Sequence, residues 1–449
     1  MKDANDNVWT GIANYAVPYL LAYFLQMLYG LTDLYIVGQY ADVAATTSVA
    51  IGSQVMHFLT VVIVGLAMGT TVVVARATGA RDTNRISSTI GTTFTMFMSL
   101  SVVLAAVLCF DTASIAVIMS TPTEAMSGTQ QYLAICFAGI PAITAYNVIA
   151  SIFRGMGDSR TPLVFVAIAC VANIAFDYLL IGYFNMDAAG AALATVMAQT
   201  LSVVMAVIHI RRRCNSFGLT RQHLRPRRTT LRAILAVGIP VAVQDGCIQV
   251  AFLVITIIAN MRGLDDAAAV GIVEKIICML FLVPSAMLST VSTLAAQSMG
   301  ADDHQMARRI FAASLRICIV YGLVVALVMQ VWAEPVVGLF TNANEVKHLG
   351  EQYLRSYSWD CILAGIQFCF SGLFCAYGYA SISFVHNLLS IVLARVPLSY
   401  AFSEHYPDTL FPMGLAAPIG SLLSVIICIS CFVWLCRRGY LFRSIHKVT

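Results

Sequence analysis

Residues 16–22 read AVPYLLA, and residues 238–244 read GIPVAVQ. Each stretch opens a long apolar run with a proline at its third place, Pro18 and Pro240. The same spacing, to within a residue, carries ATGARD (77–82) onto SMGADD (298–303) and IFRGMGDS (152–159) onto LFCAYGYA (373–380). It aligns Gly79 with Gly300 and Gly157 with Gly378. Three blocks in one order at one spacing mark an internal repeat of half the chain.

What is repeated is membrane-spanning. The 449 residues are 59% hydrophobic and 11% charged, with a mean hydropathy of +0.82. A soluble chain carries about 25% charged residues. The apolar runs are continuous and helix-length, without the alternation of a transmembrane β-barrel. Twelve spans are read: 12–37, 47–74, 88–110, 131–152, 162–183, 188–210, 233–259, 267–291, 310–331, 354–378, 383–402 and 413–436. The start, MKDANDNVWT, is not that of a signal peptide, so the first span is expected to be retained.

Arginine and lysine orient the spans. One set of connections holds Lys2, Arg76, Arg81, Arg85, Arg154, Arg160, Arg211, Arg212, Arg213, Arg221, Arg225, Arg227, Arg228, Arg232, Arg308, Arg309, Arg437, Arg438, Arg443 and Lys447. The opposite set holds only Arg262, Lys347 and Arg355. The positive-inside rule then puts both termini in the cytoplasm of a cell (inner) membrane protein. The basic stretch 211–232 reads as a cytoplasmic linker that sets orientation and meets anionic lipid, not as a nucleic-acid site. The 13 cysteines are odd in number and lie mostly in apolar runs, which speaks against a disulfide framework.

Six spans per half leave both halves with the same orientation, so the repeat is parallel. The expected fold is an all-α polytopic membrane protein: an N-terminal six-helix lobe over 1–210, the linker over 211–232 and a C-terminal six-helix lobe over 233–449. Such repeats build two bundles that transport by rocking.

Two acids lie firmly inside first-half spans. Asp33 sits in 28-LYGLTDLYIVGQ-39, and Asp177 in 171-VANIAFDYLLIG-182. A carboxylate at such depth costs about 2.5–3.5 kcal/mol on insertion scales. Asn173 precedes Asp177 by one helical turn, and Thr195 precedes Gln199 likewise in 188-AAGAALATVMAQT-200. At about 1.5 Å per residue, Asp33, Asp177 and Thr195 all fall roughly 7–11 Å below the outer boundary. Two carboxylates held together cannot both stay charged cheaply; one takes a proton, or a cation neutralises the pair. Asn173 and Thr195 add neutral oxygens that suit a hard cation such as Na⁺. Thr195 alone would bond its own helix backbone.

The second half departs here. Ile255 stands where Asp33 would repeat, Leu398 for Asp177 and Ala394 for Asn173. The coupling site is therefore expected in one lobe only. Asp245, Glu274 and Arg395 either line a cavity or pair structurally, and Asp360 reads as an interfacial group near a span end. Pro18 either permits a bend or holds a static kink. In FRGMGDSRTP (153–162), Gly155 and Gly157 permit a tight cytoplasmic turn or hinge, and Arg154 and Arg160 are candidates to pair with Asp158. Tyr29, Phe153, Met27 and Met56 are cavity residues by type, or core.

Pro18 with LYGLTDLYIVGQ, AATTSVAIG (44–52), ARATGARD, FRGMGDSRTP, VANIAFDYLLIG and GAALATVMAQT together resemble the multidrug and toxic compound extrusion (MATE) transporters. The resemblance covers the whole chain, more weakly in its second half. It implies two six-helix lobes and export of drug-like small molecules in exchange for Na⁺ or H⁺. Members similar to the prokaryotic DinF-like branch carry Asp in helix 1, Asn and Asp in helix 5 and Thr in helix 6. These fall on Asp33, Asn173, Asp177 and Thr195, which would also be the ligands if the ion is Na⁺. Another branch relies more on acids of the second lobe. No cofactor is implied, and a monomer is expected.

Three other classes fit less well. A flippase of lipid-linked saccharides wants several basic residues facing its cavity, and the spans offer mainly Lys275 and Arg395. A membrane enzyme finds no HExxH or GxSxG motif, and His57 and His386 stand alone in spans. A receptor or structural protein leaves the repeat and the clustered acids without a purpose.

Overall fold

The computed structural model describes residues 2–213 and 223–442, without the side chains of residues 2–7 and Arg213. Part of the basic linker, with Arg221, and the tail residues Arg443 and Lys447 lie outside the described residues. Lipid offers no partner to a backbone N–H or C=O, so each crossing segment must satisfy its own as helix. All regular structure among the described residues is helical. The helices are α1 (Lys2–Tyr40), α2 (Val43–Gly79), α3 (Thr83–Phe110), α4 (Thr112–Ile118), α5 (Thr123–Ala138), α6 (Ile140–Gly155), α7 (Arg160–Asp177) and α8 (Asp187–Arg213). There follow α9 (Arg228–Arg262), α10 (Leu264–Leu280), α11 (Leu282–Gly300), α12 (His304–Gly338), α13 (Asn344–Tyr357), α14 (Asp360–Tyr377), α15 (Ala380–Ser390), α16 (Val396–His405) and α17 (Phe411–Arg437).

Eleven helical stretches are long and apolar enough to cross a membrane, and α5 with α6 make a twelfth if that bent pair is one span. The fold class and span order read from the sequence are those observed. Large apolar side chains such as Val103, Val320 and Val331 remain exposed along these helices, as expected for surfaces that face lipid.

Several expected spans are interrupted. The span read over 131–152 bends by 49° between α5 and α6. Pro141 there has no N–H to give, and a Cβ on Gly139 would run into Val196. The span over 267–291 breaks at Phe281 between α10 and α11, just ahead of Pro284. Two others widen into π-helix, at Tyr178–Tyr183 after α7 and at Ile391–Arg395 between α15 and α16.

By packing, the chain forms two compact units. One runs from Leu21 to Gly238. In it α2 lies along α5 and α6, α3 along α6, and α8 against α5 and α7. The other joins residues up to Leu20 with those from Ile239 on. Its pairings repeat the scheme: α11 and α12 along α14, and α17 against α13 and α16. Both first helices change unit beside their proline, α1 after Leu20 and α9 after Gly238. Packing thus assigns the start of α1 and the start of α9 differently from the sequence halves. Tyr15 shares a hydroxyl hydrogen bond of 2.9 Å with Thr293 of α11. The start of α9 presses on α2, where a Cβ on Gly238 would strike the Leu66 carbonyl and one on Gly69 the Ile234 carbonyl.

Two of the three repeated sequence blocks turn out to be turns, while the block with Pro18 and Pro240 lies inside α1 and α9. Asp82 and Asp303 cap α3 and α12, accepting from Arg85 N–H at 2.9 Å and Met306 N–H at 2.8 Å. The residue before each cap, Arg81 (φ 55°) or Asp302 (φ 58°), takes the left-handed conformation. Gly157 (φ 88°) and Gly378 (φ 85°) do the same at the ends of α6 and α14. In all four turns a backbone N–H reaches back to close the helix end: Asp82 to Ala77, Asp303 to Ser298, Asp158 to Phe153 and Tyr379 to Phe374.

Replacing a helix-interior glycine by alanine ordinarily stabilises by about 0.5–1 kcal/mol. At Gly238 the added Cβ meets backbone that cannot move aside, so the sign reverses. Gly238→Ala is expected to cost about 1–3 kcal/mol, read as a lower unfolding temperature in detergent. Gly271→Ala, where a Cβ meets nothing within 4 Å, is expected to be neutral or stabilising.

Candidate functional site

Three helices of the unit from Leu21 to Gly238 each contribute two polar side chains one turn apart: Tyr29 and Asp33 on α1, Asn173 and Asp177 on α7, Thr195 and Gln199 on α8. Small residues let α8 come close; Ala188, Ala191, Ala192, Ala194 and Ala198 are all buried. Two rungs then join α8 to α1. The Thr195 hydroxyl donates to Asp33 Oδ2 at 3.2 Å, and Gln199 Nε2 donates to the Tyr29 hydroxyl at 3.3 Å. The rungs pair 33 with 195 and 29 with 199, the order that antiparallel helices require. Thr195 thus bonds Asp33 across the bundle, as a lone threonine would not.

The α7 pair completes the group from the other side. Asp33 interacts with Asp177 and Asn173 as well as Thr195. Asp33, Asn173 and Asp177 are 5%, 1% and 0% exposed. That matters because little in the protein answers their charge. Asp33 Oδ1, both Asp177 carboxyl oxygens and both polar atoms of the Asn173 amide have no hydrogen-bond partner. A buried, ionised carboxylate without donors is costly. Acceptors exceed donors here, which suits a proton or a small hard cation. Among the described residues no three His, Cys, Asp or Glu side chains converge as a metal site; this group holds two carboxyls and neutral oxygens. A small cavity lies beside it, lined by Tyr29, Asn173, Thr195 and Gln199 with Ala169 and Ala198. The helix leaves α-geometry directly after Asp177, and π-turns of this kind frequently mark functional sites.

The other candidates separate. Arg395 lines a cavity in the second unit with Asp360. Asp360 is the first residue of α14 and is 1% exposed. Glu274 accepts from the Thr256 hydroxyl at 3.3 Å, and Asp245 is half-buried and lines neither cavity. Pro18 stays inside a continuous α1. Gly155 is a contact point: a Cβ there would lie 2.7 Å from the Thr71 carbonyl. Gly157 makes the turn, and the Asp158 carboxylate accepts from Arg160 and Thr161 N–H, each at 3.0 Å. His386 does not stand alone. It bonds the Ser371 and Ser424 hydroxyls at 3.0 and 2.6 Å, partners on other spans that no local pattern announces.

Comparison with known proteins gives one answer. The family model MatE matches twice, over residues 18–179 and again over 240–401, so the family unit is itself the repeat. The chain is 24% identical to the probable multidrug resistance protein YoeA of Bacillus subtilis, over 99% of this chain and 98% of that protein. It is 23% identical to the DNA damage-inducible protein F of Escherichia coli, over 78% of this chain and 75% of that one. A MATE structure in the bent conformation superposes with a TM-score of 0.88 at 20% identity, covering 97% of this chain and 96% of that one. An outward-facing multidrug resistance MATE family transporter gives 0.85 at 20%, covering 95% of each. With two matches that take in most of its length, the chain belongs to the MatE family and is a multi-pass membrane transporter, not an enzyme.

Proposed function

We propose that the protein is a secondary active antiporter. It exports lipophilic, often cationic, drug-like compounds across the cell membrane in exchange for Na⁺ or H⁺, by alternating access. The observation that carries this reading is the buried Asp33–Asp177 pair, whose oxygens outnumber the donors around them. A site in that condition is completed by what it binds. Asn173 and Thr195 join the two acids as the coupling group, and Tyr29 and Gln199 form the cavity wall beside them. The multidrug names of the relatives support the substrate class. The excess of basic residues in alternate connections supports cytoplasmic termini, and the exposed apolar helix faces support lipid as the surrounding medium. A monomer suffices, since each candidate site is made within one chain.

The coupling follows from charge. With one carboxyl of the pair keeping a proton, the empty pair carries a single negative charge at a cost; one bound H⁺ or Na⁺ balances it, and the loaded pair packs more as an apolar wall would. Tyr29 and Asp33 lie on one helix, so loading alters the wall of the adjacent cavity. Pro18 lies upstream on the same helix and has no N–H for the carbonyl one turn back, which leaves α1 able to bend there. An ion shifts such an equilibrium only by its difference in affinity for the two states; moving it from 1:99 to 99:1 takes about 5.5 kcal/mol.

Two measurements test this. In cells or vesicles with an imposed Na⁺ or H⁺ gradient, wild type should expel ethidium under one gradient. Asp33→Asn and Asp177→Asn, expressed to the same level, should lose at least about tenfold in gradient-driven export, since each removes a charge the ion must balance. Normal export by both variants would sink the proposal. In detergent, the coupling ion at about 100 times its Kd should stabilise wild type by about 2.7 kcal/mol, seen as a raised unfolding temperature. That rise should vanish in Asp33→Asn.

A further inference from the structure

We propose that the second unit holds a binding site for a small aromatic zwitterion. Its carboxylate sits on Arg395, its ring against the aromatic wall that Phe252, Phe281 and Phe368 give the cavity, and its ammonium at Asp360. These residues line one cavity.

The geometry gives each part of the ligand a counterpart. The Arg395 guanidinium lies over two aromatic rings, 4.9 Å from the Phe252 centroid and 5.6 Å from that of Tyr357, and donates to the Tyr357 hydroxyl. Its Nε is buried without a partner. Among the described residues no carboxylate lies within ion-pair distance of it. A guanidinium held flat against rings with its fork open is set for a carboxylate. Asp360 is buried at the same cavity, and neither of its oxygens has a hydrogen-bond partner. Arg395 and Asp360 attract each other across the cavity, beside Ser421, without a direct ion pair, and a ligand that carries both charges can bridge them.

The repeat sharpens the contrast. Arg395 falls beside the position of Asn173, and Gly420 on that of Gln199. A Cβ on Gly420 would lie 3.2 Å from the Arg395 Cβ and 3.0 Å from Ser390 Oγ. The missing side chain leaves the room that the arginine occupies. The corresponding place in the first unit collects acids; here it holds a cation. The two sites share no residue, so this proposal stands apart from ion coupling at Asp33 and Asp177, and its test needs no gradient.

The test is equilibrium binding to the purified full-length chain in detergent, with three probes that share an indole ring. Tryptophan carries both charges, tryptamine only the ammonium, indole-3-propionate only the carboxylate. Tryptophan should bind wild type at least about tenfold tighter than either. Arg395→Gln should weaken tryptophan and indole-3-propionate by roughly 10–100-fold and leave tryptamine unchanged. Asp360→Asn should do the reverse, weakening tryptophan and tryptamine only. Equal binding of the three probes by wild type, or binding of none, overturns the proposal without any variant. So does an equal loss for all three in each variant, which would make Arg395 and Asp360 a charge balance within the fold.

Discussion

Asp33 and Asp177 are two carboxyl groups held in one bundle with fewer donors than they can accept from. In water that shortage is filled at once; inside a helix bundle it has to be filled by the protein or by a guest. The protein fills it in part. Thr195 gives one hydrogen bond to Asp33, while the amide of Asn173 lies between helices with no hydrogen bond of its own. The close approach of α8 through its alanines and the change of helical pitch after Asp177 both serve to bring these groups together. A purely structural polar cluster would be expected to close its hydrogen bonds, as His386 does with Ser371 and Ser424. That contrast within one molecule is the ground for proposing Asp33 and Asp177, and not His386, as a site.

The repeat shows how one scaffold can hold different polar groups in its two halves. The features that recur are those with strict backbone demands: a left-handed residue followed by an aspartate cap, and a glycine that ends a helix. Helix interiors in lipid make no such demand, since any apolar residue satisfies them. Apart from Pro18 and Pro240 inside α1 and α9, the halves are therefore alike at turns and free to differ at interiors, where the candidate sites lie. Ile255 and Ala394 replace Asp33 and Asn173, and Arg395 enters beside them.

Sequence legibility follows the same division. The spans were legible because length and hydropathy are properties of one segment. Asp33, Asn173, Asp177 and Thr195 were legible because depth and one-turn spacing place side chains before any contact is known. The bend at Gly139 was not, because it depends on Val196 of a distant helix pressing where the glycine has no side chain. The burial of Asp360 was not legible either, because its segment was read as one span over 354–378. In the structure that span begins with the separate helix α13, whose Tyr353 and Tyr357 are buried in the same core as Val273 and Met413. The π-turns, and with them the place of Arg395, also leave no mark in composition or periodicity.

The first helix joins these arguments. Its start packs with α11 through Tyr15, and its remainder carries Tyr29 and Asp33 to α8. Pro18 stands between the two, two residues before the change of packing unit, and Pro240 stands two residues after the matching change in α9. An α-helix transmits displacement along its axis well, except where a rung of its ladder is missing. A missing rung in each first helix, beside the point where that helix changes unit, lets each part keep its own packing while the helix stays continuous.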